Sequence, residues 1–306
     1  MNVLTRCLFI LFSQLNMFQA FPQYAFYNEH YVEGKFTGEF MAEGGAMNCL
    51  TDLGGNQGSG KRFIKDVNIK QSRLCYGISG AINYNRIISL RLQMTKGKVS
   101  ADDQAIKNAG SAARGRYLRN LNFESTIREL SAVLEIYPLM FFVTEGKWLP
   151  SLDWYIFAGL GCFYFNPVAR LGDSRIELAD LRTEGQGFDE YPEKRVYRRN
   201  QFNLPMGTGV KWEIHSRLNL RLELNYRKLF TDYLDDVSTD YIDPALFLKN
   251  LPREKAYLAA SLSDRRINAG TEPLSREEIR GNSLHNDAYF SLSLRTSYVL
   301  GRKRQP

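Results

Sequence analysis

Residues that could support hydrolysis are few. The chain has three histidines, His30, His215 and His285, and a hydrolytic triad needs a His placed between a nucleophile and an orienting carboxylate. The candidate considered is His285 on a predicted surface loop, which has Ser283 and Asp287 close in sequence. Neighbours within one exposed loop seldom form a triad, because the three side chains must converge from suitable directions. We therefore expect no catalytic residues and a solvated His285.

A second candidate is a run of carboxylates and aromatic rings between Thr231 and Asp243. Clustered carboxylates can hold Ca²⁺, but the spacing is not that of an EF-hand, and loop arginines could pair with them instead. Whether a metal binds is left open. Charge combined with rigid aromatic area is also typical of recognition surfaces, with a loop that only covers its own scaffold as the alternative. The candidate recognition residues are Asp232, Tyr233, Asp235, Asp236, Asp240, Tyr241 and Asp243.

Residues Gly55 to Lys61 satisfy the pattern GxxxxGK. A phosphate-binding loop requires Ser or Thr at the next position, where this chain has Arg62, and it needs a buried strand before it and a helix after it. The net charge of +7 lies in loops and in the C-terminal tail, without a recognisable nucleic-acid module. We predict no nucleotide, no nucleic acid and no cofactor.

The elements that must position these residues show a period of two. From Leu218 to Tyr226, leucines and a tyrosine alternate with polar and charged residues, which predicts a strand with one apolar and one charged face. Similar segments of about ten residues recur, joined alternately by short turns and long polar loops. The eight predicted strands are Phe36–Asn48, Leu74–Tyr84, Ile87–Val99, Thr126–Ile136, Leu152–Phe165, Leu204–Ile214, the strand starting at Leu218, and Ala288–Leu300.

The repeated pattern predicts an all-β fold, an eight-stranded antiparallel transmembrane β-barrel of the outer-membrane type with four long extracellular loops. The short turns at Asn85, Tyr137 to Pro150 and His215 would lie on the periplasmic side with both termini. Alternation alone does not tell which face is inside, so a soluble lipocalin-like binding barrel with an apolar cavity is an alternative. In the membrane barrel, the predicted lumen charges are Arg91, Glu129, Lys211, Arg221, Glu223, Arg227 and Arg295.

The N-terminus, with Arg6 before a short apolar run, is typical of an export signal. We predict a signal peptide at 1–20, a periplasmic lead-in at 21–35, the barrel at 36–300 and a basic periplasmic tail at 301–306. Helices near Lys255 to Arg265 and near Arg276 are expected in the longest loop. Export would leave three cysteines, and a disulfide between two of them or three free thiols are both open. They are Cys49, Cys75 and Cys162.

Several stretches resemble a family of outer-membrane barrels from Bacteroidota that is similar to PorG of the type IX secretion (Por) system. They are GGAMNCLTDLGG (44–55), INYNRIISLRLQMTKGKVSADD (82–103), YIFAGLGCFYFNP (155–167), TEGQG (183–187), LPMGTGVKWEI (204–214) and ELNYRKLFTDYLDDVSTDYID (223–243). The resemblance covers nearly all of the chain after the signal, and it implies an eight-stranded barrel and a place beside secretion machinery.

Together, these features predict a non-enzymatic barrel in a Gram-negative outer membrane that serves as an anchor or docking component of a type IX secretion or envelope-assembly complex. The expected partners are outer-membrane lipid, lipopolysaccharide and secretion-complex or envelope proteins. A lipid-modifying outer-membrane barrel enzyme is the alternative, since such enzymes share the fold.

Overall fold

The computed structural model describes residues 31–54, 69–106, 114–142, 150–266 and 279–304. The predicted signal peptide, most of the lead-in, the GxxxxGK segment and the helix near Arg276 lie outside these residues. All statements below concern the described residues.

Ten strands form one antiparallel sheet, and eight of them close into a ring. The strands are β1 (Tyr31–Leu50), β2 (Arg73–Tyr84), β3 (Ile88–Asp102), β4 (Asn122–Ile136), β5 (Leu152–Tyr164), β6 (Pro167–Leu171), β7 (Ser174–Glu177), β8 (Asn200–His215), β9 (Leu218–Leu229) and β10 (Ala288–Arg304). The ring runs β1-β2-β3-β4-β5-β8-β9-β10 and closes where β10 pairs with β1. The predicted eight-stranded antiparallel barrel is confirmed.

Tight turns connect the strands at one end of the barrel. Asn85 and Arg86 both have positive φ, 49° and 60°, and the Ile87 N–H donates to the Tyr84 carbonyl at 3.0 Å. That is the two-residue turn whose twist matches a hairpin. The connection from β4 to β5 contains a 3₁₀ turn at Pro138–Phe142. The four long connections lie at the opposite end, as the sequence predicts.

The long connections contain the remaining elements. These are helix α1 (Arg114–Arg119), helix α2 (Ala245–Asn250), helix α3 (Arg253–Ser263), 3₁₀ turns at Ile69–Gln71 and Asp103–Ile106, and the β6–β7 hairpin, which extends from β4. Helix α3 confirms the helix expected near Lys255 to Arg265. The hairpin was not expected, because strands of five and four residues are too short to show a reliable period. No helix in the described part of the chain combines the length and apolar character needed to cross a membrane.

The outside of the barrel is apolar and the inside is polar. On β3, Leu90, Leu92 and Met94 are 54–60% exposed, whereas the alternating Arg91 and Gln93 are 0–1% exposed. This is the reverse of a soluble lipocalin-like barrel, whose cavity would be apolar, so that alternative is wrong. An apolar exterior of this kind needs lipid as its solvent.

The sequence did not show which face of strand β5 points outward, because both faces are apolar. The structure assigns them. Trp154, Ile156 and Leu160 lie outside at 41–69% exposure. Tyr155, Phe157 and Phe163 lie inside and are buried. These rings belong to two buried clusters, one near the short turns, whose tyrosines also contact the charged residues, and one near the long loops.

Candidate functional site

The structure places all seven predicted lumen residues inside the barrel, each at most 6% exposed. Each is on the alternating face of its strand that turns away from the apolar exterior. Four buried guanidinium groups lie in this space, and each pairs with at least one buried carboxylate. They belong to Arg91, Arg221, Arg227 and Arg295.

Glu223 is the acceptor at the centre of this lumen network. Its carboxylate accepts from Arg91 Nη1 at 2.7 Å and Nη2 at 3.2 Å. Arg295 Nη2 donates to the same group at 2.5 Å, and the Tyr155 hydroxyl donates at 2.8 Å. Four donated hydrogen bonds fully compensate a carboxylate that water cannot reach, which is the condition for keeping a buried charge.

Two further arginines of β9 connect distant strands. Arg221 pairs with Glu39 of β1 and with Glu135 of β4, the latter at 3.0 Å. Arg227 Nε lies 3.1 Å from Glu129 of β4. The pairs therefore span the interior from wall to wall, so that the lumen is filled by its own side chains, as expected for eight strands.

Sequence reasoning missed several members of the network. Glu39, Glu43 and Glu135 complete ion pairs to Arg221, Arg295 and Arg91. All three carboxylates follow the same alternation as the residues that were predicted, so the signal was present in β1 and β4. The small residues of β1 weaken its pattern, and this explains the omission of its two glutamates.

Aromatic rings also line the network. Lys211 Nζ lies 4.2 Å from the centre of the Tyr137 ring, and the Tyr137 hydroxyl donates to Glu135 at 2.7 Å. Tyr155 occupies the space beside Gly209, where an added Cβ would come within 2.4 Å of the ring. Cation–ring contacts of this kind compensate part of the cost of burying an ammonium group.

Above the barrel, the described parts of the long connections pack together into one body, which we call the loop cap. Its core is a buried apolar cluster from the β6–β7 region, α2 and α3, with Phe188 and Phe247 in edge contact at 6.1 Å. Arg119 ties three connections together. It donates to Asp103 at 2.9 Å and to the carbonyls of Arg280 and Asp52, both at 2.7 Å.

The sequence stretches singled out by resemblance meet in the loop cap. The Leu53 N–H donates to Asp235 at 3.0 Å, and Thr183 Oγ1 donates to Asp236 at 2.6 Å. Glu184 accepts from the N–H groups of Ser238 and Thr239 at 2.9 and 3.0 Å. These segments are far apart in the chain, so the hydrogen bonds join distant segments in the folded cap.

The acidic segment is therefore mostly buried. Asp235 and Asp236 are 0% exposed, Tyr241 is 4% and Asp232 is 8%. Tyr233 is half-buried and stacks on Tyr197 at 4.8 Å. This arrangement corresponds to a loop that covers the barrel mouth, so these four buried side chains do not themselves form the exposed contact surface that the sequence suggested.

Asp240 and Asp243 are partly exposed at the edge of the segment. The Asp240 carbonyl accepts from Lys194 Nζ at 3.4 Å, and Asp243 Oδ1 accepts from the Ala245 N–H at the start of α2 at 2.9 Å. Among the described residues, no group of three or more His, Cys, Asp or Glu side chains is arranged to hold a metal ion.

Burial controls the ionisation of these loop carboxyls. Burial raises the pKa of Asp235 to about 8, with the nearby Asp52 carboxylate adding to the rise. Burial also raises the pKa of Asp232 to about 8 and that of Asp236 to about 6. The pKa of Asp287 lies well above the ordinary value, first from burial and then from Asp235 and Asp232.

The triad considered at His285 does not assemble. His285 and Ser283 are exposed, and His285 Nδ1 lies 3.4 Å from Asn282 Nδ2. Asp287 is buried and accepts from the Leu234 N–H at 2.8 Å. The three cysteines in the described part of the chain have free thiols, with Cys49 and Cys75 buried and Cys162 exposed on the barrel wall.

Solved structures of several bacterial proteins are similar to this chain. Ail, the attachment invasion locus protein of Yersinia pestis, has a TM-score of 0.38 at 7% identity, with 87% of this chain and 100% of that chain covered. Neisserial surface protein A has a TM-score of 0.35 at 10% identity, with 87% and 98% covered. The outer membrane protein OprG from Pseudomonas aeruginosa has a TM-score of 0.34 at 9% identity, with 88% and 99% covered.

No curated protein sequence matches this chain. A family model described as "Domain of unknown function (DUF6089)" matches residues 50–262. The match begins at the end of β1 and ends within α3, so it includes most of the barrel wall and the acidic segment. Because it spans more than half of the chain, the protein belongs to the DUF6089 family.

Proposed function

We propose that this protein is a non-enzymatic barrel of a Gram-negative outer membrane that holds the loop cap at the cell surface as a docking platform. The observation that carries the proposal is the ion-pair network that crosses the lumen. Arg91 and Glu223 meet in the middle of the barrel at 2.7 Å, and further pairs join other strands across it. A lumen crossed by paired side chains argues against transport through the barrel, and we therefore propose anchoring and recognition as its role.

The outward surface of the loop cap supports a docking role. The buried acidic segment joins separate connections of the cap by hydrogen bonds, and α2 and α3 present apolar side chains on its exterior. Leu248 is 56% exposed and Tyr257 is 53% exposed. Aromatic and aliphatic side chains on a rigid element are the usual centre of a protein interface.

The resemblance to barrels of the type IX secretion apparatus makes a protein of that complex, or another envelope-assembly protein, the partner we propose. The charges around the exposed face, including Lys249 and Glu254, would form the polar rim of such a contact. The barrel would then fix the position and orientation of the cap relative to the membrane.

The test is crosslinking in the native bacterium, followed by affinity purification of the full-length protein. We expect the wild type to capture a reproducible set of envelope proteins, and the double variant Leu248→Ser, Tyr257→Ala to lose it. Val196→Ser is the matched control, because Val196 is also apolar and 50% exposed but lies on the β7–β8 connection. It should retain the set.

Heat-modifiable migration on a detergent gel reports the folded barrel in all three proteins, and resistance to carbonate extraction reports membrane integration. Release of the whole protein by carbonate would contradict the membrane assignment. An unchanged partner set in the double variant, together with altered lipid A in a deletion strain, would favour the lipid-modifying enzyme instead.

A further inference from the structure

Four side chains form a continuous row across the outer wall near the loop-cap end of the barrel. Tyr76 pairs with Lys96, Lys96 with Arg128, and Arg128 with Tyr164 in the strand register. Lys96 and Arg128 are exposed on the apolar exterior. Two cations thus stand directly opposite each other between two tyrosines.

Like charges placed directly opposite across two strands destabilise the pairing unless an anion lies between them. Glu124 lies four residues along β4 from Arg128, and it pairs with Lys98 at 3.1 Å and Arg175 at 2.9 Å. Within the described residues, no carboxylate forms an ion pair with Lys96 or Arg128. The row therefore has an excess of positive charge that an external anion would compensate.

A groove opens in the wall directly below this row. Its volume is about 700 Å³, which is in the range of ligand-binding pockets. The lining is mostly apolar and comes from β2 to β5, together with Asn200 at the start of β8. Its outward-facing side chains include Tyr76, Ile78, Met94, Leu130, Cys162 and Tyr164.

The height of the row suits a lipid headgroup. Outward residues of β3 are apolar from Ile88 to Met94, and the next outward residue is Lys96. The eight steps along the strand from Ile88 to Lys96 span about 26 Å, and the tilt of a barrel strand shortens this to about 20 Å along the barrel axis. The apolar band of an outer-membrane barrel is about 25 Å tall, so the cations lie near its upper edge. Their long side chains can extend to the level where phosphate meets acyl chain.

We propose that this face is a binding site for the lipid A part of lipopolysaccharide, with a phosphate between Lys96 and Arg128 and an acyl chain in the groove below. The inference rests on the proposed outer-membrane location and orientation, in which the loop cap is outside. An amphiphile with a phosphorylated head and several saturated chains matches both parts of the site. Its anionic head would bind the cations above, and its hydrocarbon would lie in the apolar groove below.

The experiment is native mass spectrometry of the detergent-purified, full-length protein titrated with bis-phosphorylated lipid A. We expect saturable binding by the wild type. Each basic residue near an anionic surface contributes about a fivefold gain in affinity, so Lys96→Ala, Arg128→Ala should bind about thirtyfold more weakly. Cys162→Trp, which fills the groove and retains both cations, should also weaken binding.

Lys228→Ala is the matched control, because Lys228 is an exposed cation at the same end of β9, on the opposite side of the ring. It should bind like the wild type. Lipid A with its phosphates removed should bind as weakly as the double variant, and inorganic phosphate alone should not displace the lipid. Equal binding by the double variant and the control, or by the two forms of lipid A, would overturn the site.

Heat-modifiable migration and integration into vesicles are measured on every variant. If the wild type does not integrate into membranes, the proposed function fails. If it integrates as a folded barrel while the double variant binds lipid A normally, only the lipid site fails.

Discussion

Arg91 and Glu223 form a two-pronged ion pair through the middle of the barrel, with contacts of 2.7 and 3.2 Å. The strands that carry them, β3 and β9, are four places apart in either direction around the ring of eight. The pair therefore joins diametrically opposite walls. A single polar contact across the full width leaves little room for an aqueous channel.

Removing Glu223 should strongly destabilise the barrel. Glu223→Ala leaves Arg91 and Arg295 with one fewer carboxylate each, and breaking a buried pair in this way costs about 3–5 kcal/mol. Denaturant unfolding in lipid vesicles measures the loss. Glu177→Ala removes a half-exposed partner of Arg199 and should change the free energy of unfolding by less than about 0.5 kcal/mol.

The wild-type barrel should conduct few ions. Because ion pairs cross the lumen from wall to wall, we expect no large, stable single-channel current in planar bilayers. Arg295→Ala opens space beside Glu43 and Glu223 and should increase leakage above the wild type. A large, steady wild-type conductance would contradict the closed lumen.

The loop cap should loosen as the pH rises. Asp235 and Asp232 have a folded-state pKa of about 8 because of burial, against an ordinary value of 3.8. In the unfolded cap they lose their protons at lower pH, so the folded cap binds more protons between pH 4 and 8 and its stability falls across that window.

Hydrogen exchange at the Leu53 and Leu234 amides, which donate to Asp235 and Asp287, measures this effect. Exchange corrected for its intrinsic pH dependence should accelerate from pH 5 to pH 9. Asp235→Asn cannot ionise and should flatten the dependence. Greater protection at pH 9 in the wild type would refute the expectation.

Arg119 should be essential to the order of the loop cap. Arg119→Ala removes four hydrogen bonds to Asp103, Asp52 and Arg280 and leaves the buried Asp103 carboxylate without its cation. We expect limited proteolysis to cut the long loops faster, while heat-modifiable migration still shows a folded barrel. Arg195→Ala, at an exposed cap position, should be cut like the wild type.

Much of the barrel followed from the sequence alone. Side chains of a strand point alternately to opposite faces. The run from Leu218 to Tyr226 therefore predicted strand β9, the residues on each of its two faces, and the charged residues that share one face. The Asn85–Arg86 turn and helix α3 could also be located, because both depend on residues that are close in sequence. Alternation does not state which face is inside, and only ring closure showed that the charges point inward.

The loop cap and the partners within the lumen were decided by tertiary structure. From the sequence alone, Asp235 and Asp236 were expected to belong to an exposed acidic cluster. In the fold they are buried within the cap and accept hydrogen bonds from Leu53 and Thr183. Those donors come from distant connections, 182 and 53 residues away. Contacts between irregular loops have no period, so local sequence carries no signal for them. In the same way, the sequence placed Arg91 and Glu223 on inward faces, and only closure of the ring brought them together.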